Sequence, residues 1–159
     1  MLYFSIMIAK NFIRSKTLSE LLKSRNVKIA YLFGSQKESG IAFLNDRNST
    51  IDERADLDIG VVFEKLPIDT FGVYGDIYAS LSIFFEPFNI DLVFLQETDT
   101  LFQYEAIKGE LIYCEDENFL DDYEEMVMKM ASDLSFKKAE FEKDFLEAVK
   151  DGYFEITHR

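Results

Sequence analysis

At 159 residues, 48% of them apolar and with sixteen Phe and eight Tyr, the chain can fill the core of one domain, and seven Gly and two Pro leave little for disordered linkers. A formal net charge of −13, from 30 acids against 17 bases, argues against stable nucleic-acid binding, whose affinity comes from neutralising phosphates. The lone Cys114 excludes an internal disulfide and suits a reducing cytoplasm, and a single histidine, His158, argues against histidine-based triads and zinc sites.

Taken in order, the chain opens on Met1 to Ala9, an apolar run too short to span a bilayer and without a basic leader. It reads as core or as an oligomer contact. Thr17-Leu-Ser-Glu20 has the pattern of a capping box, and Leu18, Leu21 and Leu22 predict a helix from about Thr17 to Ser24. Lys28 to Phe33 is a buried strand, ended by Gly34-Ser35. Gly40 to Arg54 is mostly polar with turn formers and predicts a mobile loop.

Ala55 to Phe63 is a second strand. It carries Asp56 and Asp58, whose carboxylates share one face of an extended backbone while Leu57 and Ile59 point the other way. Two carboxylates ~4 Å apart at an effective dielectric near ~20 repel by about 4 kcal/mol. A fold that keeps both usually supplies a cation, and Mg²⁺ bound through carboxylates and substrate phosphates is the natural one. The Gly34-Ser35 turn is the complementary half, because a glycine there lets backbone amides approach a phosphate closely.

Pro67 and Asp69 open a helix in which Phe71, Val73, Tyr74, Ile77, Tyr78, Leu81, Phe84 and Phe85 recur at helical spacing, a crossover to the strand Asn89 to Phe94 with Asp91 in it. Thr98 or Asp99 caps a further helix that Gly109 stops, and Glu110 to Cys114 is a short edge strand. From Asn118, Phe119, Tyr123, Met126, Val127, Met130 and Leu134 keep a helical period, resumed by Phe141, Phe145, Leu146 and Val149. Ser132-Asp133 and Ser135 mark a kink or break between them. So long a helix on so small a sheet predicts a partner or a second copy along its apolar stripe. The acidic run Glu115 to Glu125 reads either as a solvated helix start or as a docking surface for a basic protein.

Phe33-Gly34-Ser35, a loop, then Asp56-Leu57-Asp58-Ile59 and, later, Asn89-Ile90-Asp91-Leu92 together resemble the signature of the DNA polymerase beta nucleotidyltransferase superfamily, in its minimal nucleotidyltransferase branch. Twenty residues separate Ser35 from Asp56, longer than the usual spacer. The resemblance implies an α/β (α+β) fold: a small mixed sheet of about three to four strands flanked by helices, with a long C-terminal helical segment. One domain would span 1–159, with a catalytic core at about 17–114 and a helical region at about 117–152.

The resemblance further implies that Asp56, Asp58 and Asp91 are catalytic and hold two Mg²⁺ ions with ATP as substrate, while Gly34, Ser35 and, within the lengthened loop, Lys37 hold the phosphates. Members of this branch commonly act as antitoxins, and some transfer AMP to a tyrosine of a partner HEPN ribonuclease toxin. That is the leading expectation, in the cytoplasm, with a homo-oligomer as an option. The alternatives are a small-molecule nucleotidyltransferase of the antibiotic-modifying kind and a non-catalytic antitoxin acting by contact alone.

Overall fold

The structure, a computed structural model, describes residues 14–151. The expectations for Met1 to Ala9 and His158 fall outside that range. Four strands form one sheet in the order β3-β2-β1-β4, from β1 (Val27–Phe33), β2 (Leu57–Phe63), β3 (Ile90–Phe94) and β4 (Glu110–Cys114). β1 runs antiparallel to both β2 and β4, whereas β2 and β3 are parallel. The mixed pattern follows from the connections, since only β2 to β3 has a full crossover helix between them.

That helix is α3 (Thr70–Phe84), capped by Asp69, whose carboxylate accepts from Gly72 N. Together with α1 (residues 14–23) it covers one face of the sheet: Leu18, Leu22, Ile77 and Leu81 pack on Leu57, Ile59, Val61, Ile90, Leu92 and Phe94. The opposite face carries Ile29, Tyr31 and Val62 beneath Leu95, Ala106 of α4 (Thr100–Ile107), and Tyr123 and Val127 of α5 (Glu117–Lys150). Alternation along β1, β2 and β3 therefore feeds both faces. The Tyr31 hydroxyl donates to Glu124 at 2.7 Å and Tyr123 donates to Gln103 at 3.0 Å, which fixes α5 over β1 and α4.

Four local expectations are corrected. The first helix is already under way at residue 14, so Thr17 lies within it and is not its cap. The segment read as a loop from Gly40 begins as α2 (Lys37–Leu44). Gly40 is buried there, and a Cβ on it would stand 2.7 Å from Leu57 and 2.9 Å from Leu32, so this glycine serves close helix-on-strand packing. α5 continues without a break through Ser132, Asp133 and Ser135, all exposed, where short polar side chains face water. Phe71, placed on the apolar face of the crossover helix, is 93% exposed.

Candidate active site

Gly34, Asp58 and Asp91 come together at one end of the sheet because of strand register. Phe33 pairs with Asp58 across β1 and β2, and Asp58 pairs with Asp91 across β2 and β3. Residues in register on neighbouring strands point the same way, so Phe33, Asp58 and Asp91 make one row across the face that also carries α4 and α5. Asp56 stands just before β2, exposed, as is Asp91, while Asp58 is half-buried between them.

The electrostatics agree with that placement. Burial pushes the Asp58 carboxyl above the ordinary aspartate value, and the charges of Asp91 and then Asp56 push it further in the same direction. Asp58 therefore feels both of its acidic neighbours. The three acids remain splayed: among the described residues no three acid, histidine or cysteine side chains are drawn together as a ready-made metal cage. Like charges with two of the three groups in solvent favour that spacing.

The turn after β1 is built tightly against these acids. Gly34 has φ +74°, a left-handed conformation that disfavours any side chain, and a Cβ there would overlap the Asp58 carboxyl. Ser35, next to it, is exposed. Lys37 is the first residue of α2; its Nζ lies 3.7 Å from Glu38 and 4.0 Å from Glu110, so its charge is directed to the β4 side of the turn.

One residue of this end escaped the sequence reading. Gln36 is only 4% exposed and holds the segment that leads into Asp56. Its Oε1 accepts from Asp52 N at 3.0 Å, while its Nε2 donates to Asp52 O at 3.1 Å and to Ala55 O. Ser39 adds a bond from its hydroxyl to Thr50 O at 2.8 Å. The stretch expected to be mobile is thus tied down on both sides, and the direction in which the chain enters β2 is set by it. A lone glutamine after a Gly-Ser turn carries no spacing signal that would have marked it.

Carboxylate oxygens are the donor set that hard divalent cations take, and the absence of a side chain at Gly34 leaves the Asp58 carboxyl room beside the turn. The residues present thus fit Mg²⁺ in donor chemistry.

Residues 16–118 match the sequence family described as Polymerase beta, Nucleotidyltransferase. The chain belongs to that family. The matched region runs from α1 through β4 to the first residues of α5 and includes the Gly34 turn and all three acids. No curated protein is similar enough in sequence to stand as a relative.

Among solved structures, this polymerase beta-type fold is similar to a tri-AMPylated Shewanella oneidensis HEPN toxin in complex with MNT antitoxin, with 14% identity over 86% of this chain and 98% of that one and a TM-score of 0.54. It is also similar to a toxin-antitoxin complex with AMP-PNP (14% identity, 83% of this chain and 98% of that one, TM-score 0.55) and to the toxin-antitoxin MntA-HepT (14%, 84% and 97%, TM-score 0.54). Identity this low establishes a shared fold. Among the described residues no helix is long and apolar enough to cross a membrane.

Proposed function

We propose that this protein is an antitoxin that transfers AMP from ATP to a hydroxyl group, with a tyrosine of a partner HEPN ribonuclease toxin as the acceptor. The observation that carries this reading is the register row that sets Asp58 beside Asp91 and against Gly34, in a chain of the nucleotidyltransferase family. The neighbours support it in kind: one is a complex with an AMPylated toxin and another holds an ATP analogue.

In the transfer, the acceptor oxygen forms a bond to the α-phosphorus of ATP, the bond from that phosphorus to the β-phosphate bridging oxygen breaks, and pyrophosphate leaves. Gly34 and Ser35 hold the β- and γ-phosphates through the tight turn, and Lys37, in the first turn of α2, joins them by exchanging Glu38 and Glu110 on the β4 side for the phosphates. Asp56 and Asp58 orient the α-phosphate end, and Asp91 takes the proton of the attacking hydroxyl. Asp56, Asp58 and Asp91 would hold two Mg²⁺ ions, which would supply charge neutralisation for the attacking and leaving oxygens.

One catalytic unit would span the sheet and its covering helices, with α5 as the arm that meets the partner. From Ser132 to Glu147 every residue of α5 is exposed, Phe141 at 70%, so this half of the helix presents apolar side chains to the surface. A reducing cytoplasm suits both the free Cys114 and this partnership.

The test is the intact mass of the co-encoded toxin after incubation with the protein, ATP and Mg²⁺. The toxin gains one or more AMP units with the native protein and none with the Asp56→Ala, Asp58→Ala double variant. A toxin that is inhibited but unchanged in mass would establish inhibition by contact alone. AMP found on a small molecule instead would establish the antibiotic-type reaction.

A further inference from the structure

The geometry points to the Phe33–Phe102 pair as an aromatic shelf on which the base of the bound nucleotide stacks. The inference rests on the nucleotidyltransferase reading of the three acids and adds to it where the base lies. Phe33 ends β1 and is the register partner of Asp58, with Asp91 on the other side, so the ring borders the acid row on the flank away from Asp91.

Phe102, in the first turn of α4, meets Phe33 with ring centroids 5.7 Å apart and planes at 89°. Such an edge-to-face contact takes up at most one face of either ring, and the exposure of Phe102 leaves that ring open to a third partner. Phe33 is half-buried against the core, whereas Phe102 remains 39% exposed.

A nucleotide has the two halves this arrangement asks for. Its triphosphate suits the Gly34 turn and the cation-binding acids, and its base offers an apolar π-face to an aromatic ring. The acceptor approaches from the Asp91 side, so the opposite flank, where the two phenylalanines stand, is left to the nucleotide. Stacking on an aromatic platform tolerates any base, because every base has a π-face. The shelf therefore contributes affinity for nucleotides as a class rather than selection for adenine.

The test compares ATP, GTP and inorganic tripolyphosphate, each titrated calorimetrically with Mg²⁺ into the wild-type protein and the Phe102→Ala and Phe102→Trp variants. Removing the ring is expected to weaken ATP and GTP by about fivefold or more, to leave tripolyphosphate unchanged, and to be rescued by Trp. Phe102→Leu keeps the bulk without the π-face and is expected to behave as the alanine variant, which guards against a folding defect.

Unchanged ATP affinity in both Phe102→Ala and Phe102→Leu overturns the shelf, as does an equal loss for tripolyphosphate. A wild-type protein that binds tripolyphosphate as tightly as ATP overturns the shelf alone, whereas one that binds neither overturns the nucleotidyltransferase reading with it.

Discussion

Asp58 holds its position against the preference of its own charge. Its carboxyl is raised by burial, by Asp91 and by Asp56, so the native state binds a proton at this site more readily than the unfolded chain does. Stability from this group is therefore present at low pH and lost as pH rises from the ordinary aspartate value through the raised one. Asp58→Asn removes the charge and should melt higher than the wild type in metal-free buffer at pH 7, with the gap closing below about pH 4. A lower melting temperature for the variant at pH 7 would show that the repulsion is already relieved. Gly34 is the other constrained residue. Gly34→Ala adds about 1–2 kcal/mol of left-handed strain and pushes on the Asp58 carboxyl, so melting should fall by about 2–8 °C and ATP binding should weaken; thermal melts and calorimetry read both.

Among elements, β2 and the segment entering it do most to set the site. The strands were legible because each is a short apolar run bounded by a turn former; of the two acids that the Asp-x-Asp spacing predicted on one strand face, β2 carries Asp58, and Asp56 stands just before it. The segment between Ser35 and Asp56 was not legible. Its polar residues and turn formers predicted a mobile loop, whereas Gly40 packs α2 closely on β1 and β2, and the order of the rest depends on one buried side chain reaching three backbone groups. Gln36→Ala leaves those groups without partners, at about 1–3 kcal/mol for each one that stays buried. Amide hydrogen exchange across residues 46–56 should quicken while the β1 and β3 amides keep their protection. Uniform loss of protection would mean that Gln36 supports the whole fold instead. The continuity of α5 was missed for a related reason: serine and aspartate break helices when they compete for the backbone, and on an exposed face they have water instead.

For the molecule as a whole, local pattern gave the elements, while their convergence depends on pairing between strands far apart in sequence. Asp91 is 33 residues beyond Asp58, and nothing in its own neighbourhood says that it shares a face with it; the parallel register of β2 and β3 does. Charge works at the same scale. A chain at −13 repels nucleic acid and further anions alike, so under the proposed function the triphosphate arrives together with cations at the row of acids proposed to take them. The most direct measurement is anomalous diffraction from crystals grown with Mn²⁺ and a non-hydrolysable ATP analogue. Anomalous peaks within coordination distance of Asp56, Asp58 and Asp91, with the triphosphate running to the Gly34 turn, are the predicted result. Manganese bound away from these three carboxylates, or an analogue seated elsewhere on the protein, would contradict the account.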